Sequence, residues 1–142
     1  MKSTGLLVPV ISAFLSIFIS ADEIILSQAK GRIDVKISGK LFTSYHYEGL
    51  PKPALYPVRW IDGTGMTRRF PMEKALPGES NDHVHHRSVF WGHRHVKGGN
   101  DGGVHDFWGE NSKSGKQIAT EVKCGKDGSI HAKHKWVSKA GQ

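Results

Sequence analysis

Between Glu79 and His95 the chain reads Glu-Ser-Asn-Asp-His-Val-His-His-Arg-Ser-Val-Phe-Trp-Gly-His-Arg-His, with histidines at positions 83, 85, 86, 93 and 95. A sixth, His105, precedes Asp106-Phe107-Trp108-Gly109-Glu110. Imidazole titrates near neutrality and carries a lone pair, so such a cluster can move protons or ligate a metal. The surrounding carboxylates can orient the rings, Arg87 can hold an anion, and the tryptophans can stack on a sugar. Two chemistries follow. In the first, His86, Arg87, Asp106 and Glu110 serve as acid, base and anion clamp on a carbohydrate. Tyr45, His46, Asp82, Trp91 and Trp108 would hold that carbohydrate. In the second, His83, His85 and His93 bind a divalent metal, since neutral ring nitrogen suits zinc, copper, iron or nickel. The protein would then be a metal-dependent oxidoreductase or hydrolase, with Asp82 or Asp106 fixing a ring tautomer. A third reading makes the histidines loop-holding groups in a non-catalytic envelope protein. Trp91, Phe107 and Trp108 are read first as core, with ligand stacking as the alternative.

Several other chemistries are excluded. There is no His-Glu-x-x-His, no phosphate loop and no Gly-x-Ser-x-Gly elbow. Cys124 is the single cysteine, which rules out a zinc ribbon and an internal disulfide. It alternates with Ile118, Thr120 and Val122, so it is expected to be buried.

The elements that must position these groups are strands. Residues 32–38 alternate, with Ile33, Val35 and Ile37 on one face. A tight turn at Ser38-Gly39-Lys40 leads into a second strand from Leu41 to Tyr47, so the two form a hairpin. Ala54 to Trp60 is extended, with Pro57 marking an edge or bulge. Asp62-Gly-Thr-Gly65 turns the chain, Met66 to Phe70 is a candidate returning strand, and 71–81 is a loop. Ser88 to His95 and Val104 to Trp108 read as strands from their β-branched and aromatic content. Gln117 to Cys124 and Ser129 to Val137 alternate again around a turn at Gly125-Lys-Asp-Gly128. Residues two apart share a face of an extended segment, so His83 should point with His85 and His93 with His95. His86 should face the other way. The expected fold is mostly β, an antiparallel β-sandwich or part of a larger one, with no helical bundle.

Composition agrees. Seventeen glycines and six prolines in 142 residues favour turns over helices. Lys2, the apolar run from Leu6 to Ile19 and the small pair Ser20-Ala21 make residues 1–21 an expected secretory signal peptide, removed before the β-rich domain of 22–142. The run is too short for a stable membrane span, and the protein is expected in the periplasm or outside the cell. The net charge of +7 does not imply nucleic-acid binding. Residues 111–142 hold seven lysines, no arginine and one aromatic residue, Trp136, a pattern of solvated strand faces.

Five blocks carry a resemblance. They are Gly39-Lys-Leu-Phe-Thr-Ser-Tyr-His-Tyr47, Lys52-Pro-Ala-Leu-Tyr-Pro-Val58, Met66-Thr-Arg68, Asp82-His-Val-His-His-Arg-Ser-Val-Phe-Trp91 and Asp106-Phe-Trp-Gly-Glu110. Together they resemble a family of exported bacterial proteins labelled "methane oxygenase PmoA". The resemblance covers roughly residues 32–120. It implies a mostly-β protein about twice this length, found among bacteria rich in polysaccharide-degrading systems, so this chain would correspond to the N-terminal half. The label is not read literally, because a membrane monooxygenase subunit needs several apolar spans of about 20 residues.

Overall fold

The computed structural model describes residues 23–141, so the apolar segment read as an export signal lies outside the described residues. Nine strands follow in chain order: β1 (Ile24–Ala29), β2 (Arg32–Ile37), β3 (Lys40–His46), β4 (Ala54–Val58), β5 (Val89–Phe90), β6 (Val96–Lys97), β7 (Val104–His105), β8 (Lys116–Cys124) and β9 (Ile130–Val137). The fold is mostly β and antiparallel, with no α-helix among the described residues. No helix there is long and apolar enough to cross a membrane.

Strands β1 to β5 form one sheet in sequence order, and β6–β7 and β8–β9 are separate hairpins. The β2–β3 hairpin forms where alternation places it. Its two-residue turn, Ser38-Gly39, has positive φ at both positions (48° and 78°), the geometry whose twist matches that of paired strands. The register sets Ile33 opposite Tyr45 and Val35 opposite Thr43, and Tyr45 lies opposite Leu55 of β4. These residues share the face towards which the β8–β9 hairpin turns. Gly128 at the hairpin tip lies against Ile24, and His134 of β9 hydrogen-bonds Tyr45. The hairpin is anchored at its base by Gln117, whose amide N–H donates to the Pro51 carbonyl and whose side-chain amide donates to the Trp91 carbonyl, both at 2.8 Å. Among the described residues, Ile33, Ala54, Tyr56 and Phe107 are the buried hydrophobic core.

Four expectations are corrected. Strand β1, Ile-Ile-Leu-Ser-Gln-Ala, has no alternating pattern to mark it in the sequence. Of 88–95 only Val89 and Phe90 pair with the sheet, and of 104–108 only Val104 and His105 pair with another strand. Positive φ at Ser88 (61°) and His95 (56°) turns the backbone out of the extended conformation at both ends of the first segment. The returning strand at 66–70 reduces to a single bridge between Arg59 and Gly65. Cys124 is exposed rather than buried. Inward rotation of Gln117, which satisfies the Trp91 carbonyl, puts Ile118 on the outer face, and an extra residue between Ala119 and Glu121 shifts the phase of the rest of β8, which leaves Cys124 exposed at the strand end opposite Ile130.

Thr43 is buried, and its hydroxyl has no hydrogen-bond partner among the described residues. A buried hydroxyl without a partner costs stability that an isosteric methyl does not. Thr43→Val is therefore expected to raise the unfolding free energy by about 1 kcal/mol, read from the denaturant midpoint. A lowered midpoint would show that the hydroxyl is satisfied.

Candidate functional site

The histidine stretch is carried on a loop without a core of its own, so polar ties must hold it. Arg68 supplies most of them. Its guanidinium donates to the Asp82 carboxylate at 3.1 Å and to the carbonyls of Asp82 and His83 at 2.8 and 2.9 Å. Glu79 accepts the amide of Leu76 at 2.8 Å and also that of Arg69, and Ser88 donates to Thr67 at 2.9 Å. The Ser80 hydroxyl, then Arg68 and His83, hold the Asp82 carboxyl down to about 2. It is therefore ionised throughout the range in which imidazoles titrate.

The backbone then makes a tight turn. His83 adopts φ 49° and accepts the amide of His86 at 2.9 Å. This turn overturns the alternation argument. It gathers His83, His85 and His86 on one side instead of turning His86 away. The His83 and His86 rings stack at 4.9 Å with planes 11° apart, and the His85 ring meets His86 edge-on at 4.4 Å. Trp108 completes the group, its ring 6.4 Å from His85, 6.1 Å from His86 and 5.3 Å from Phe90.

Segment 92–93 brings the fourth imidazole. Gly92 runs so close to the backbone of Phe107 and Trp108 that a Cβ would lie 2.9 Å from the Phe107 carbonyl oxygen. Only glycine fits without displacing that strand of contacts. The Phe107 amide donates to the His93 carbonyl at 2.8 Å, which locks the two segments together. The result is an open groove of about 730 Å³ lined by His83, His85, His86, Gly92, His93, Arg94 and Trp108.

Tautomers follow from the acceptors. His93 Nδ1 lies 2.6 Å from the Arg94 carbonyl, which can only accept, so Nδ1 carries the proton and Nε2 is left for a ligand. His83 Nδ1 lies 2.6 Å from Asp82 and is protonated for the same reason. Burial lowers the pKa of His85, and His86, Lys52, His83 and Arg94 lower it further. Burial also lowers His86, with His83 and Arg68 adding to it and Asp82 opposing.

The remaining predicted catalytic groups are placed beneath the groove, in structural roles. Glu110 is 5 % exposed and accepts a bidentate pair from Arg87 at 2.7 to 2.9 Å. Lys52, 2 % exposed, sits 3.2 Å from the same carboxylate, donates to the Trp108 carbonyl at 2.5 Å and lies 4.4 Å from the centre of the Phe90 ring. Burial lowers the Lys52 pKa, Glu110 opposes that, and Arg87 adds to it. Asp106 accepts the amides of Trp108 and Gly109 at 2.8 and 3.1 Å and the Ser114 hydroxyl at 3.3 Å. Burial pushes its carboxyl up, but these hydrogen bonds outweigh it and leave the carboxyl below its ordinary value. Asp106 thus shapes the turn that presents Trp108.

The predicted sugar-binding set is divided. Trp108 lines the groove, and Asp82 braces His83 beside it. Tyr45 and Trp91 lie in a second, largely apolar cleft of about 700 Å³, bounded also by Leu55, Phe90, His134 and Trp136. There the Tyr45 hydroxyl and His134 Nε2 are 3.0 Å apart, and burial raises the tyrosine pKa and lowers that of the histidine. Trp91 is 72 % exposed, so it is not core, whereas Phe107 is buried. His46 donates through Nε2 to the Tyr56 carbonyl at 2.9 Å and holds β3 to β4. His105 donates through Nε2 to the Gly98 carbonyl at 3.1 Å.

The predicted metal ligands reach the groove without forming a ligand set. Among the described residues, no group of three His, Cys, Asp or Glu side chains is placed to hold a metal ion. Face-on stacking of His83 on His86 explains part of this, since stacked rings do not converge their lone pairs. Lys52, Arg68 and Arg94 were not among the predicted residues. A lone lysine gives no chemical signal, although Pro51 and Pro53 on either side of Lys52 mark a stiff backbone there.

Comparison with proteins of described function returned no match, and comparison with solved structures returned none. A family model does match, over residues 32–142. That span includes β2 to β9, the groove and the buried ion cluster, and the chain belongs to a family of unknown function, DUF6807.

Proposed function

We propose that this is an exported carbohydrate-binding protein whose ligand occupies the histidine groove. The observation that carries the reading is the floor of that groove. Trp108 is half-buried, fixed by Phe90 and by the Asp106 turn, and ringed by the nitrogens of His83, His85, His86, His93 and Arg94. A fixed indole face among orientable polar groups is what a pyranose ring needs, with its apolar face on the ring and its oxygens on the donors. The volume suits one or two sugar units. The apolar run from Leu6 to Ile19 supports export.

Binding is favoured over hydrolysis by where the carboxylates are. Glycosidases work through two carboxyl groups flanking the scissile bond. Here Glu110 is held by Lys52 and Arg87, Asp106 by backbone amides, and Asp82 by Ser80, Arg68 and His83. None of the three lines the groove.

A glycan microarray probed with the full chain tests the reading. Bound glycans are expected, and His85→Ala should weaken their binding at least tenfold while the far-ultraviolet spectrum stays unchanged. Absence of any bound glycan, or unaltered affinity in a folded His85→Ala protein, would overturn it.

A further inference from the structure

The groove is unbalanced in charge. Its polar lining consists of four imidazoles and one guanidinium, and no carboxylate faces it. Beneath it, Lys52 and Arg87 share the carboxylate of Glu110, and the Asp106 carboxylate is felt by both Lys52 and Arg94, so groove and floor together keep one positive charge in excess. Asp82, beside His83, is offset by the Arg68 guanidinium at 3.1 Å. A neutral sugar presents hydroxyls that both donate and accept, and it gains little from an excess of positive charge. Arginine and protonated histidine only donate, and they suit a group that only accepts.

We propose that the ligand is an acidic sugar, a glycan whose carboxylate or sulfate lies against Arg94 and the imidazoles while its ring rests on Trp108. The inference rests on the carbohydrate reading and names the substrate class of the same groove. Arg94 is the anchor, because it is the one groove residue charged at every physiological pH. The imidazoles supply further donors. His83 and His93 already commit Nδ1–H to Asp82 and to the Arg94 carbonyl, so each offers Nε2 to the ligand and becomes a second donor on protonation. Burial holds down the His85 pKa, and the positive groups that lower it further, Lys52 and Arg94 among them, are the field a bound anion would relieve.

The test is a microarray carrying neutral, carboxylated and sulfated glycans, probed at pH 5.5 with the full chain and two variants. Acidic glycans are expected to bind. Arg94→Gln should weaken them at least tenfold. Lys126→Gln, which removes the same charge at the tip of the β8–β9 hairpin, should leave them unchanged. Neutral glycans bound as well as acidic ones, with Arg94→Gln indifferent, would overturn the inference and leave the carbohydrate reading standing. No bound glycan at all would overturn both. Displacement of an acidic glycan by an equal concentration of inorganic sulfate would also overturn the inference, since the ligand would then be a simple anion.

Discussion

Glu110→Leu is expected to lower the unfolding free energy by about 3–5 kcal/mol, enough to unfold a domain of ordinary stability. The substitution keeps the volume and removes the acceptor. Lys52, nearly inaccessible to water, would lose its counter-ion and keep the Trp108 carbonyl and the Phe90 ring, and Arg87 would lose a bidentate partner. A buried charge deprived of its partner costs far more than the pair contributes when intact. The double variant Lys52→Met, Glu110→Leu separates these effects. It removes the stranded ammonium together with its carboxylate, and Arg87, 17 % exposed, can turn to water. Its stability should therefore exceed that of Glu110→Leu alone. Guanidinium denaturation of the parent, both single variants and the double variant gives the coupling directly. Additive losses would show that the cluster is three independent contacts.

The second large effect is in pH. An acidic glycan should bind more tightly at pH 5 than at pH 8, by about tenfold for each imidazole whose pKa it raises by one unit. In the empty groove His85 and His86 lie below their ordinary value, chiefly through burial and then through neighbouring positive groups. The charges facing them are His83, Lys52, Arg68 and Arg94, with Asp82 as the opposing carboxylate. A bound anion favours their protonated forms, so binding takes up protons and affinity rises as pH falls through the pKa values of the complex. Asp82, held down to about 2, does not contribute in this window. The stability of the empty protein should change the other way. The unfolded chain, with imidazoles near 6.5, takes up protons at higher pH than the folded chain does, so acid destabilises it as pH falls from about 6.5 towards the lowered values. Titration calorimetry and thermal unfolding across pH 5–8 would show the two opposite slopes. An affinity independent of pH would mean that the imidazoles do not meet the charge of the ligand.

Periodicity revealed the parts of the fold that periodicity governs. Ile33, Val35 and Ile37 alternate because β2 is covered on one face, and the Ser38-Gly39 turn closes the hairpin to β3 where its residues allow positive φ. The β8–β9 hairpin was legible for the same reason, but its phase was not. Ile118 looks like the inner face until Gln117 is seen to hold the Trp91 carbonyl, a contact between residues 26 apart that no local pattern encodes, and the bulge between Ala119 and Glu121 breaks the alternation that linked Ile118 to Cys124. The histidine groove shows the same division. Residue types placed it in the 79–110 region, and the grouping of His83 with His85 came out as expected. The reason was different, since a turn with His83 at φ 49° gathers the rings where strand alternation had been invoked. Nothing in a histidine forecasts that backbone conformation, and Arg68, whose three ties maintain it, lies outside the stretch altogether.

Lys52 and the Trp108 carbonyl are 56 residues apart in the chain, and the whole groove lies on the far side of that closure. The loop entropy of joining them grows only with the logarithm of the separation, but it must be met before the contact forms. The histidine stretch therefore has no shape of its own to lend. An excised peptide spanning residues 79–110 would carry all six lining side chains of the groove but neither Lys52 nor Arg68 to hold them in place. The groove takes its shape only where the segment that carries Lys52 and the segment that carries Glu110 have found each other.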